Sequence, residues 1–342
     1  MDNLLQKIQK NWNHYQLNDT AVKNKNRRTA KTPLQVVVCV SGGSDSVALL
    51  HLLQRLSTLL CLELQILHFN HQLRPEAKQE QAFVKSLADQ YKLPFHFKTA
   101  KHLKSGQSGL QESARDWRID EALKLLEFLG GGCIATGHHA DDQTETIILK
   151  WLRGSHISNL QGMRWKNAPF IRPLLNCGKS ELQDYLNSNK LNWMEDTSNQ
   201  SATYLRNRVR LELIPLLEEL TRHGLHSRIN DLSEQSQLLH EWLDSAYDKW
   251  EQNSGNFDNE TSTVLSLADL EKADEILQQE ILHRFITAKT RLALNYRKLQ
   301  KVIELISTGR SQWEFRLSQE WKIRKSGKEL CLQQNIEKKL KH

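Results

Sequence analysis

The residues Ser41-Gly42-Gly43-Ser44-Asp45-Ser46 follow the apolar run Val36-Val37-Val38-Cys39-Val40. A buried strand that stops at two glycines and restarts as Val47-Ala48-Leu49-Leu50 defines a strand, a loop and a helix. Such a loop sets backbone N–H groups at a helix N-terminus, where amide donors and the helix dipole both favour a phosphate chain. Gly42 and Gly43 let the main chain approach an anion with no Cβ in the way. Ser41, Ser44 and Ser46 add short hydroxyl donors. Asp45 would repel a bare phosphate, which points to a bridging Mg2+. The loop has neither the lysine of G-x-x-x-x-G-K-[ST] nor the spacing of G-x-G-x-x-G. The alternative, a plain glycine turn, does not account for so many specified positions in one strand-to-helix context.

Further constellations carry chemistry. In Ala135-Thr136-Gly137-His138-His139-Ala140-Asp141-Asp142-Gln143-Thr144-Glu145-Thr146, Asp142 and Glu145 share one helical face. They suit Mg2+ or the ammonium group of a substrate; Asp141 and Asp142 would also serve as helix caps. No cysteine or further histidine stands at metal-ligand spacing from His138 and His139, so a polar base contact or proton handling fits them better, with a packing role open for one. Arg115 and Arg118, one helical turn apart, match phosphate and carboxylate geometry. They could equally form an ion-pair ladder with Glu112, Asp116 and Glu121. His68 to Arg74 closes a strand in polar groups, and Arg153 sits in a basic glycine turn. Arg206, Asn207, Arg208 and Arg210 follow, with Glu212 the only nearby acid, which favours phosphate contact over a salt ladder.

These groups need a scaffold. Short Val- and Ile-rich runs at 34–40, 64–70, 95–99 and 133–137 alternate with amphipathic segments at 45–60, 76–92, 110–129 and 141–152. The pattern predicts a doubly wound parallel sheet covered on both faces, with its ligand at the carboxyl ends of the strands. The loops 41–46, 68–74 and 137–142 all fall at that edge. A short helix is expected at 3–16 and a basic linker at 23–31. Residues 153–200 read as loops around a helix at 179–189, and a helix from 203 to about 220 should kink or divide at Pro215. Amphipathic helices at 228–251 and 267–307 and a β-hairpin at 313–332, turning at Lys325-Ser326-Gly327-Lys328, complete the chain. The expected organisation is an N-terminal helix and linker (1–32), an α/β catalytic domain (33–222) and a mainly helical C-terminal domain (223–342).

A chain of 342 residues suggests two or three domains. Its net charge of +7 fits a polyanionic partner, nucleic acid first, or simple solubility. The five cysteines are scattered and form no C-x-x-C pair, which implies a reducing compartment and no disulfide, zinc or iron–sulfur framework. No signal-peptide pattern and no run of membrane-spanning length are present, so a soluble cytoplasmic protein is expected.

The loop 41–46 resembles the SGGxDS loop of the PP-loop ATP pyrophosphatases, an adenine nucleotide alpha hydrolase-like fold. Taken in order, SGGSDS, HFNHQLR, ESARDWR, TGHHADDQTET, LRGS with Leu160-Gln161-Gly162-Met163, RPLL, EDTSN and YLRNRVR resemble the tRNA(Ile)-lysidine synthases. The likeness is close over residues 35–220 and looser beyond. It implies ATP and Mg2+ as cofactors, and a tRNA(Ile) with a CAU anticodon and L-lysine as partners, with no membrane and room for a homodimer. ATP would adenylate the C2 oxygen of the wobble cytidine, and the lysine side-chain amine would then displace AMP. By the same resemblance Ser41, Gly42, Gly43, Ser44, Asp45, Ser46 and His138 would bind the nucleotide, and Asp45 and Asp142 the metal. Asp45, Arg115, Asp142 and Glu145 would be catalytic. Arg118, His139, Arg153, Arg206, Asn207 and Arg210 would contact the substrate or tRNA. The same-fold alternative is a tRNA thiolase, for which the cysteines are wrongly placed; an alternative of another class is a non-catalytic RNA-binding module.

Overall fold

The structure is a computed structural model that describes residues 3–20, 33–70, 77–100, 110–155, 160–195, 205–254, 263–292 and 294–335. The basic linker 23–31, residues 71–74 and residues 196–204 lie outside these. The chain forms two compact units, Met1–Glu145 with Met163–His226, and Thr146–Gly162 with Ser227–His342.

In the first unit, β1 (Leu34–Cys39), β2 (Leu62–Asn70), β3 (Phe95–Thr99) and β4 (Cys133–Ala135) alternate with α2 (Ser44–Leu60), α3 (Ala77–Tyr91), α4 (Leu110–Phe128) and α5 (Ala140–Leu152). Two very short strands follow, β5 (Lys166–Asn167) and β6 (Phe170–Ile171), then α6 (Lys179–Ser188). The sheet order is β3-β2-β1-β4-β6-β5. All pairings are parallel except the edge pair β5–β6, so the doubly wound parallel sheet carries one antiparallel edge. β1 explains the arrangement: Val36, Val37 and Val38 are all fully buried. Helices must therefore cover both faces, and β-branched side chains suit a pleated surface packed on two sides.

α1 (Asn3–His14) is amphipathic and places Leu4, Leu5, Ile8 and Trp12 in the same core as β1 and α2. At about 1.5–3 kcal/mol for each large apolar side chain buried, that stripe makes α1 part of this unit. The stretch after residue 204 is divided near Pro215, as its sequence implies. It consists of α7 (Leu205–Arg208), a π-helical turn (Val209–Leu213) and α8 (Ile214–Leu220), with the proline in the first turn of α8, where its missing N–H is harmless.

Pairing registers align the strand ends. Val38 is opposite Ile66 and Ala135, and Ala135 is opposite Ile171. One residue further on, Leu67, Cys39, Thr136 and Arg172 therefore lie along the carboxyl rim of the sheet.

The second unit takes in most of the long helix α9 (Leu225–Asn253), followed by β7 (Val264–Ser266), α10 (Leu267–Leu270), α11 (Glu275–Thr290), α12 (Tyr296–Ser307), β8 (Gln312–Arg316), β9 (Trp321–Ser326) and β10 (Glu329–Gln334). The amphipathic helical stretch expected over 267–307 is three helices. Asp274 and Asn295 occupy N-cap positions, and Asn295 Oδ1 accepts the Lys298 N–H at 3.0 Å. The terminal hairpin is β9–β10, closed by Gly327-Lys328 with Gly327 at φ +61°. β8 and β7 extend it to an antiparallel sheet of order β7-β10-β9-β8. Phe285, Ile281, Val302, Ile323 and Leu330 centre its core. No helix among the described residues is long and apolar enough to cross a membrane.

Candidate active site

The loop 41–46 leaves β1 and enters α2. Gly42 has φ +103°, a conformation only glycine adopts freely. The Ser46 hydroxyl organises the turn: it accepts the N–H groups of Ser41 and Gly42, each at 3.2 Å, and donates to Gly43 O at 2.9 Å. Ser41 Oγ accepts the Gly43 N–H at 3.3 Å. The hydroxyls thus hold the first half of the loop in shape. α2 has no side-chain cap, and its first intrahelical bond runs from Val47 N–H to Gly43 O. The amides of its opening turn therefore face outward as anion donors at the positive end of a helix of 17 residues. Gly137, beyond β4, passes so close that a Cβ there would stand 3.2 Å from Ser46 N. The two strand-end loops meet at this point.

His139 ties the two loops together. Its Nε2 lies 3.5 Å from both Asp45 Oδ2 and Asp142 Oδ2, and its Nδ1 lies 3.2 Å from Asp141 Oδ2. Burial alone would lower the His139 pKa. Hydrogen bonds to Asp141 and Asp45 and the charges of Asp142 and Asp45 outweigh it and raise the value to about 10. The ring is an imidazolium at neutral pH. Burial would raise the Asp45 pKa, but the His139 hydrogen bond and charge and the Lys179 charge bring it below the ordinary carboxylate value. Asp141 is half-buried yet held well below the usual range by His139, His226 and the Lys179 N–H, and its carboxylate caps α6 by accepting that N–H at 2.9 Å. Asp142 accepts the His139 N–H at 3.1 Å, in the manner of a capping box on α5. The capping reading therefore holds for both aspartates, and Asp142 also faces the site.

Glu145 is fully buried. Its carboxylate accepts Arg206 Nε at 2.9 Å and also Arg210 Nε. The same two guanidiniums approach Asp142 Oδ1, at 3.9 and 3.6 Å. This corrects the expectation that Glu212 is the only acid near the arginines of 206–210. Arg208 pairs with Glu212 one helical turn on, and Arg206 and Arg210 pair with carboxylates more than 60 residues earlier. Nothing in a linear reading signals that contact.

On the other flank, Thr136 Oγ1 and His138 Nδ1 are 2.9 Å apart. Burial lowers the His138 pKa to about 4, with Asp142 opposing the shift and Arg172, His139 and Arg118 adding to it. His138 is a neutral imidazole at neutral pH. Arg118 is in electrostatic reach of Cys39 and Arg115, and Arg172 of Arg115. Arg172 belongs to the RPLL motif but was not among the expected site residues; only the alignment of strand ends puts it at the rim. Arg153 falls in the second unit, and every other expected residue lies in the first. Asn207 is half-buried on α7.

Two carboxylates bridged by one cation are hard oxygen donors that suit Mg2+, which binds through one or two carboxylates plus substrate phosphates. Among the described residues no group of three His, Cys, Asp or Glu side chains could hold a metal ion by itself, so the fit is to that phosphate-assisted kind of site. Burial drives the thiols of Cys39 and Cys177 up to about 12, which makes both inert.

This strand-end loop and its sheet define a class: the chain belongs to the PP-loop domain family, which it matches over residues 9–217, and that membership implies use of ATP. Residues 265–331 match the TilS substrate binding domain. A tRNA(Ile)-lysidine synthase of Enterococcus faecalis is 31% identical over 312 residues, covering 87% of this chain and 66% of that protein. One from Chlorobaculum tepidum is 35% identical over 213 residues, covering 61% of this chain and 64% of that protein. The chain thus spans slightly less than two thirds of these relatives' length. The U34-tRNA thiolase NcsA of Methanococcus maripaludis, solved with its [4Fe-4S] cluster, shares the fold with a TM-score of 0.55 at 15% identity, covering 68% of this chain and 78% of that one.

Proposed function

We propose that the protein ligates L-lysine to C2 of the wobble cytidine in a CAU anticodon of tRNA(Ile), using ATP. The C2 oxygen of the base attacks the α-phosphorus, and the bond to pyrophosphate breaks. The lysine side-chain amine, having lost one proton, then attacks C2; the C–O bond to AMP breaks, AMP leaves with the electron pair, and the nitrogen gives up a second proton. The observation that carries this reading is the uncapped N-terminus of α2 beside Asp45 and Asp142, joined through His139.

In this reading the loop 41–46 and the opening amides of α2 hold the phosphates of ATP. Asp45 and Asp142 would hold Mg2+, which when bound neutralises charge gathering on the leaving pyrophosphate. Preorganised donors at such a charge are worth of order 10²–10³ in rate each. Glu145 fixes Arg206 and Arg210 so that their guanidiniums present cationic donors to nucleotide or RNA. With Glu145 taken by the two arginines, Asp142 would serve either the Mg2+ or the incoming amine. His138 has one ring nitrogen left to hydrogen-bond the nucleotide or the base, since the other is taken by Thr136. Cytoplasmic location is part of the proposal, and a homodimer is compatible with it.

The test is incubation with ATP, labelled lysine and a CAU-anticodon tRNA, followed by nucleoside analysis. Label in the wobble nucleoside with matching pyrophosphate release is the expected result. Pyrophosphate release that depends on a sulfur donor and not on lysine would overturn it in favour of a thiolase. Absence of Mg-ATP binding would favour an RNA-binding module.

A further inference from the structure

Arg172 follows β6 directly, on the rim row of Cys39 and Thr136. One guanidinium nitrogen, Nη1, donates to Arg164 O at 2.8 Å. Its Nε–H is buried and has no hydrogen-bond partner among the described residues. A buried donor left unpaired costs about 1–3 kcal/mol, more when it is charged, so such a group calls for an explanation. The charged groups around it make the question sharper. Arg115 is the like charge acting on Arg172, and both Arg172 and Arg118 act on His138. Asp142, the carboxylate that acts on that histidine, is already engaged by Arg206, Arg210 and His139. Like charges gathered together are stabilised when an anion enters among them, and guanidinium forks match phosphate oxygens with two donors at once.

We propose that Arg172, with Arg115 and Arg118, forms a second oxyanion subsite at the carboxyl end of β6, and that its ligand is a single phosphate group. This rests on the reading of the protein as an ATP-dependent enzyme acting on tRNA, and it deepens that reading. The subsite is distinct from the loop 41–46. β6 lies two strands from β1, or roughly 10 Å at the usual strand spacing. A phosphate gripped by Arg172 is therefore a different one from those cradled at the start of α2. It is either the α-phosphate, which becomes the AMP leaving group, or a backbone phosphate flanking the reacting base.

The experiment uses the full chain and the variants Arg172→Gln and Arg172→Lys. Affinity is measured separately for Mg-ATP and for a CAU-anticodon tRNA, alongside the KM for lysine and the melting temperature. Arg172→Gln should weaken one of the two phosphate ligands at least tenfold, leave the KM for lysine unchanged, and be partly rescued by Arg172→Lys, which restores charge but not the fork. If the phosphate is the RNA's, the slope of log K for tRNA against log salt falls by about one and ATP affinity is untouched. If it is the nucleotide's, ATP affinity falls and the salt slope stands. Unchanged affinity for both overturns the subsite. So does a uniform loss for every ligand in step with a lowered melting temperature, which would make Arg172 structural. Both of those outcomes leave the proposed function standing. If the unaltered protein binds neither ligand, the functional reading itself falls, and the subsite with it.

Discussion

On the carboxylate flank of the strand-end site, His139 is surrounded by Asp45, Asp141 and Asp142 and carries a proton to about pH 10. On the guanidinium flank, its chain neighbour His138 meets Arg118 and Arg172, hydrogen-bonds Thr136, and stays neutral down to about pH 4. The residue type is the same and both rings are largely shielded, so desolvation pushes the two the same way. The difference comes from the sign of the neighbouring charges, which reaches opposite results in adjacent residues. Under the proposed function the site would have to hold a metal ion, an ammonium group and several phosphates, which calls for both kinds of surface side by side. Gly137 brings them together: it passes so close to the backbone of Asp45 and Ser46 that a Cβ there would crowd them at 3.2 Å.

The heaviest blow to the carboxylate flank is Asp45→Ala. Turnover should fall by at least 10²–10³, the scale of losing one preorganised group. The fold should survive, because Asp45 is in the first turn of α2 and outside the apolar core. Pyrophosphate release and a thermal melt check the two halves of that statement; full activity would remove Asp45 from the chemistry.

Glu145→Gln comes next. It strips the shared partner from Arg206 and Arg210, and a fully buried pair broken this way loses about 3–5 kcal/mol. Both arginines reach solvent, so a smaller loss of about 1–3 kcal/mol is expected, together with weaker tRNA binding as the guanidiniums lose their anchor. Urea denaturation and a tRNA titration measure these. An unchanged midpoint would show that the clamp contributes nothing.

The two flanks differ in how far a linear reading reaches them. The geometry of the loop 41–46 was legible because it is local: strand, glycines, hydroxyls and helix start lie within a few residues. Asp142 and Glu145 on one face of α5 were legible for the same reason. The Glu145–Arg206–Arg210 clamp was not, because it joins segments that only the folded sheet brings together. Arg172 escaped notice because β6 has two residues, too few for any alternation to register. In the second unit, the breaks after Leu270 and Thr290 were hidden by continuous helical periodicity, although Asn295 with its cap bond to Lys298 was a signal that could have been read. β7, three residues long, could not be paired with β10 without knowing the fold.

The contrast between the histidines has a pH signature. The folded-state pKa of His138, about 4, lies below its ordinary 6.5. The stability it contributes is complete above pH 6.5 and is lost as pH falls toward 4, because only the unfolded chain takes up the proton readily over that interval. The stability difference between the parent and His138→Gln should therefore narrow on acidification across that window, by on the order of 1–3 kcal/mol. Chemical denaturation at several pH values reads it directly. A difference that stays flat would place His138 in water rather than among the arginines.

The smallest effect separates arginines that look alike in sequence. Arg206 leans on buried Glu145, whereas Arg208 pairs with exposed Glu212 on the surface of the same helical stretch. An exposed pair one turn apart is screened by salt and adds little. Arg208→Ala should leave the melting temperature and the salt slope of tRNA binding where they are. Arg206→Ala should lower that slope by about one, the mark of a lost phosphate contact. If Arg208→Ala lowers the slope and Arg206→Ala does not, the RNA-facing side is the exposed ladder, and the clamp on Glu145 holds the π-helical turn in place without touching substrate.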